Sequence, residues 1–109
     1  MEQIITPSLR LNALIKHVDK EKVIKLYQKC NIVKLQLFGS ILTENFSEDS
    51  DIDILVTFHP NHIPGYFTIF RIEEKLSILF ERTVDLRTKN EINEYFRDEV
   101  LKRAVLIYE

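Results

Sequence analysis

The sequence predicts a mixed α/β (α+β) domain, a small mixed β-sheet with helices on one face. Three observations carry that expectation. Residues 32–38 and 51–58 alternate with the period of two that a half-buried strand requires. Ile69, Ile72, Leu76, Leu79 and Phe80 then recur at helical spacing, and Val84 and Leu86 restart the alternation beyond them. A strand, a helix and a strand across 52–87 leave enough chain for a right-handed crossover between parallel strands.

Residues 1–18, with Pro7 and the apolar Leu9, Leu11, Leu14 and Ile15 among polar neighbours, read as an N-terminal arm or short helix that packs loosely or meets a partner. The domain proper is expected to span 19–109. Asp19 precedes apolar residues at 23, 24, 26 and 27, which suits a helix with an aspartate N-cap that ends by Cys30-Asn31. In the first strand Val33, Leu35 and Leu37 share a face, and Gly39-Ser40 stops it. In the second, Ile52, Ile54, Val56 and Phe58 share a face, which puts Asp51 and Asp53 on the other. Pro60, Pro64 and Gly65 mark a connection to a helix over about 66–82, and the third strand, 83–87, gives Asp85 the parity of the first two acids. The tail is mostly helical and closes on the apolar Val105-Leu106-Ile107-Tyr108.

Composition limits the function. With 15 Lys and Arg against 17 Asp and Glu, the chain lacks the positive field of a nucleic-acid-coating protein, and no direct nucleic-acid binding is expected. One cysteine, Cys30, excludes an internal disulfide and multi-cysteine zinc modules, and is expected to be a semi-buried residue near a helix end. Without a signal-like start or an apolar run approaching the ~20 residues of a membrane span, the protein is expected to be cytoplasmic.

Three carboxylates on one sheet surface repel one another, and residues two apart on a strand lie roughly 6.5–7 Å apart, so Asp51, Asp53 and Asp85 can converge on divalent cations. Two such ions suit in-line phosphoryl displacement. Gly39-Ser40 adds a turn whose backbone N–H groups can meet phosphate oxygens. Alone, each motif is weak, because a strand terminator and a solvated acidic face are ordinary.

Together, Leu37-Phe38-Gly39-Ser40, Asp49-Ser50-Asp51-Ile52-Asp53-Ile54-Leu55-Val56, Val84-Asp85-Leu86 and the closing Lys102-Arg103-Ala104-Val105 resemble the nucleotidyltransferase superfamily related to DNA polymerase beta. More narrowly, the pattern resembles the minimal nucleotidyltransferases (MNT), over about residues 20–108. The resemblance implies a polymerase-beta-like palm. It also implies that Gly39 and Ser40 hold a nucleoside triphosphate, that Asp51 and Asp53 bind two Mg2+ ions, and that Asp85 completes the metal set and helps activate an acceptor hydroxyl. The implied activity is transfer of a nucleoside monophosphate, AMP from ATP. The implied partner is a HEPN-type ribonuclease toxin, modified on a tyrosine and thereby silenced by its MNT antitoxin, as a homo- or hetero-oligomer. Two departures stand out: Ile41-Leu42-Thr43-Glu44 occupies positions where relatives often carry arginines and a glycine, and Glu81 stands where a glycine commonly ends the helix. The first favours a rival reading, a weak or inactive antitoxin that neutralises its toxin by contact. A third, an aminoglycoside nucleotidyltransferase, usually needs an added helical domain.

Other residues are expected to be structural. His59 and His62 read as a polar loop rather than cleft contacts, and Tyr66, Phe67 and Phe70 as packing rather than a base-stacking platform. Glu44, Glu48 and Asp49 read as a solvated loop, and Arg97, Lys102 and Arg103 as a solvated helix face.

Overall fold

The computed structural model describes residues 7–47 and 49–108. In chain order these form α1 (Pro7–His17), α2 (Lys20–Cys30), β1 (Ile32–Phe38), a 3-10 turn (Gly39–Leu42), β2 (Ile52–Phe58), α3 (Tyr66–Phe80), β3 (Val84–Arg87), a second 3-10 turn (Lys89–Glu91), α4 (Glu94–Arg103) and β4 (Val105–Tyr108). Asp19 caps α2 as expected, its carboxylate accepting from the N–H of Glu21 at 3.0 Å. Asn31 ends that helix in the left-handed conformation that asparagine tolerates. Cys30, its last residue, is half-buried.

The sheet runs β3-β2-β1-β4. β2 and β3 are parallel and are joined through α3, while β1 is antiparallel to both β2 and β4. The closing apolar residues thus form a fourth strand, because pairing with β1 satisfies backbone groups that a solvent-facing tail would leave to water. The larger core lies on one face of the sheet. There Val23 and Leu26 of α2 and Ile72, Leu76 and Phe80 of α3 meet Leu35, Leu37, Ile52, Ile54, Val84 and Leu86. Leu11 of α1 and Val18, which follows it, are buried in the same core.

The mixed α/β class holds, but the helices do not all share one face. Phe38, Leu55 and Ile92 form a second apolar cluster against Val100, Leu101 and Ala104, so α4 covers part of the opposite face. Leu55 and Phe38 require that cover, since their alternation points them away from the first core. Two further expectations are corrected. A register shift between Ile32 and Lys34 turns Ile32 inward with Leu35 and Leu37 and leaves Val33 exposed. Tyr66, Phe67 and Phe70 do not pack. They lie in the first turns of α3 and are exposed, Tyr66 and Phe67 by more than four-fifths.

β3 is an edge strand whose outward N–H groups are met by α3. The Val84 N–H donates to Ser77 Oγ at 3.0 Å and the Leu86 N–H to Glu73 Oε2 at 2.9 Å, fixing the segment that carries Asp85. Among the described residues, no helix is long and apolar enough to cross a membrane.

Candidate active site

β1 ends at Phe38, the register partner of Asp53 on β2, and Asp53 is in turn the register partner of Asp85 on β3. Sheet pairing therefore brings the Gly39-Ser40 turn, Asp53 and Asp85 together at one end of three neighbouring strands. Both acids are half-buried, and Asp51, just ahead of β2, is exposed.

Gly39 is required here for two separate reasons. Its φ of +77° lies in the left-handed region, and a Cβ at this position would fall on Asp53 Oδ2. The turn can therefore close over the carboxylate only without a side chain. The next residue uses that proximity, as the backbone N–H of Ser40 donates to the Asp53 carboxylate.

The acids do repel one another. Burial pushes the Asp53 carboxyl above its ordinary range, and the charges of Asp85 and Asp51 push it the same way. Arg87 and the Ser40 N–H oppose the rise without cancelling it. Arg87 was not singled out from the sequence. Its Nη2 lies 3.2 Å and its Nε 3.3 Å from Asp85 Oδ2, and this bond holds its guanidinium above its ordinary pKa. The signal that finds it is parity, since residue 87 shares a strand face with residue 85. Arg82 is a second omission. Its Nε donates to the Ser50 carbonyl at 2.8 Å, its Nη2 to the Ser47 carbonyl, and its guanidinium covers the Phe46 ring at 4.2 Å, so it clamps the loop that leads into Asp51.

Hard carboxylate oxygens whose mutual repulsion is only partly relieved are a donor set suited to Mg2+. Among the described residues no three potential ligands are already gathered into a cage. Magnesium does not need one, because it keeps several waters and takes one or two carboxylates with substrate phosphates. Beside the turn, a cleft is lined by Gly39, Leu42, Thr43, Phe96, Glu99 and Arg103, among others, with Arg103 held 3.3 Å from Glu99.

A family model described as polymerase beta nucleotidyltransferase matches residues 21–109. The chain belongs to this nucleotidyltransferase family. A protein of Thermococcus cleftensis named protein adenylyltransferase MntA is 31% identical over 83 residues, covering 76% of this chain and 82% of that protein. A solved structure described provisionally as a minimal nucleotidyltransferase superposes with a TM-score of 0.65 at 25% identity, covering 95% of this chain and 98% of the other. At 22% identity the fold is also shared, with a TM-score of 0.56, by a chain in the complex of a tri-AMPylated HEPN toxin with an MNT antitoxin from Shewanella oneidensis, covering 81% of this chain and 67% of that one.

The histidine candidates lie apart from the paired carboxylates. β2 leads away from Asp53, so His59, six residues on, is about 20 Å distant at the rise of a strand, and His62 lies in the same exposed loop. Glu44 and Asp49 are exposed, and Glu48 falls outside the described residues. Arg97 is structural, donating to the carbonyls of Lys89 and Ile92 at 3.1 Å each, and Lys102 is exposed.

Proposed function

We propose that this nucleotidyltransferase moves AMP from ATP onto a hydroxyl of a partner protein, a tyrosine of a HEPN ribonuclease toxin, and so serves as a cytoplasmic antitoxin. The observation that supports this most is the pairing of Asp53 with Asp85 across parallel strands, with the Gly39 turn closed over Asp53. The name of the Thermococcus relative and the AMPylated toxin in the Shewanella complex support the same donor and class of acceptor.

In this reading Gly39 and Ser40 hold the triphosphate, Asp51 and Asp53 hold two Mg2+ ions, and Asp85 completes the set. The ions, when bound, neutralise phosphate oxygens and stabilise the departing pyrophosphate. The acceptor oxygen bonds to the α-phosphorus as the bond from that phosphorus to the bridging oxygen breaks, and the hydroxyl proton passes to Asp85. Positioning and charge neutralisation are sufficient for such a transfer. Incubating the protein with its HEPN partner and α-labelled ATP tests the assignment. Asp53→Asn is expected to lower label transfer by about 100-fold or more. Near-normal transfer by that variant removes Asp53 from the chemistry.

A second reading, neutralisation by contact alone, is favoured by one observation. Where relatives often carry cations, Ile41 is buried in the core and the Thr43 hydroxyl donates to the Ser40 carbonyl at 2.8 Å, so both positions serve the fold. It predicts that Asp53→Asn silences the toxin as well as the unaltered protein does, without ATP.

A further inference from the structure

We infer that the groove between α2 and α3 is a docking surface for an acidic amphipathic helix of a partner protein. The inference stands apart from the proposed transfer chemistry and needs neither metal nor nucleotide. Lys22, Lys25 and Lys29 fall at i, i+3 and i+7 of α2 and form one row, and Arg71 and Lys75, at i and i+4 of α3, form a second. Between the rows runs a cleft of about 400 Å³, which continues past Lys29 and Lys75 into another of about 270 Å³ that Arg71 lines. All five cations are exposed. Five of the chain's 15 Lys and Arg thus line one seam, and none of its 17 Asp and Glu does. Among the described residues, none of the five is ion-paired. Like charges gathered in this way, in a chain of net charge -2, set up a local positive field that an anionic partner relieves.

The floor of the groove narrows the kind of anion. It is aliphatic, made by Leu26, Ile78 and Leu79, and Ile78 is 76% exposed. An apolar stripe with cations on both sides complements a helix whose apolar stripe has carboxylates on both sides, as charged edges flank the seam of a coiled coil. The start of α2, at Lys22, meets the end of α3, at Leu79, so the two helices run antiparallel and a third can lie along the groove between them. From Lys22 to Lys29 the row rises about 10 Å, two turns of such a helix. A nucleic-acid strand finds no ring to stack on in this floor. The groove is also clear of the paired acids. α2 and α3 cover the sheet face of Ile52, Ile54 and Val84, whereas Asp53 and Asp85 have the opposite parity. A helix docked here leaves those carboxylates uncovered.

Fluorescence anisotropy on the full chain tests the inference. The probe is a labelled synthetic peptide of about 18 residues, with leucines along one helical face and glutamates on either side of them. Binding is expected, and it should weaken as NaCl is raised. Lys25→Glu/Lys75→Glu is expected to weaken it by about tenfold or more, whereas Lys89→Glu/Lys102→Glu, of equal net charge but outside the groove, should change it by less than about twofold. Ile78→Ala should weaken it by roughly threefold to tenfold. Melting temperatures show that each variant is folded. A scrambled peptide of the same composition is expected to bind about tenfold more weakly or worse. No binding of the patterned peptide up to about 1 mM overturns the inference. Equal binding of the scrambled peptide, or equal loss in the two double variants, reduces the effect to general charge attraction and overturns it as well. A single-stranded RNA that binds more tightly than the peptide, and is lost in Lys25→Glu/Lys75→Glu, makes the groove a nucleic-acid surface instead.

Discussion

Asp53 carries two burdens that its neighbours only partly relieve, withdrawal from water and the charges of Asp85 and Asp51. An acid with a folded pKa above its unfolded value binds its proton more tightly when folded, so ionised Asp53 costs stability. That cost is fully present above the raised pKa and vanishes as pH falls through it towards the ordinary value of 3.8. In EDTA, Asp53→Asn is therefore expected to melt above the unaltered protein at neutral pH, while keeping an acceptor for the Ser40 N–H. The gap should narrow as the buffer is acidified over the same range. Thermal melts of both proteins across that range check this, and a gap that widens on acidification contradicts it. A stabilised fold that has lost transfer would be the usual trade at a site where charge is concentrated for use.

Elements meet this site through their ends, and the ends show where the chain is strained. α3 stops at Glu81, held left-handed at φ 53° with its N–H bonded to the carbonyls of Ser77 and Ile78. A side chain in that conformation costs about 1–2 kcal/mol relative to a glycine free of a Cβ. Glu81 gains little in return, since its contact with His17 at 3.2 Å joins two exposed groups. Glu81→Gly is thus expected to stabilise the protein by about 1 kcal/mol, read as a higher urea midpoint with an unchanged slope. No gain would mean that the glycine's extra freedom in the unfolded chain offsets the relief. The same helix secures β3 from its other side, where Ser77 and Glu73 occupy the N–H groups that flank Asp85.

At the scale of the molecule, α1 and the residue after it belong to the main core through Leu11 and Val18. Burying such side chains stabilises by about 1.5–3 kcal/mol each, a large part of the roughly 5–15 kcal/mol that holds a domain together. Removing residues 1–18 is accordingly expected to lower the melting temperature by more than 10 °C, or to abolish cooperative melting, at about 4–8 °C per kcal/mol. A 19–109 fragment that melts like the full chain would show the segment to be dispensable.

Periodicity alone determined three strands, the helices over 19–30 and 66–82, the helical tail and the shared parity of Asp53 and Asp85, because a strand alternates and a helix turns by fixed local geometry. The Asp19 cap was legible for the same reason, since its bonds span two or three residues. Pairing β4 with β1, placing α4 over Leu55 and Phe38, and turning Val33 outward were decided only by tertiary structure, through contacts between residues far apart in sequence. The site divides the same way. Its acids could be named from spacing, whereas the closure of Gly39 over Asp53, the clamp of Arg82 on the loop and the hold of Arg87 on Asp85 depend on where side chains meet in space.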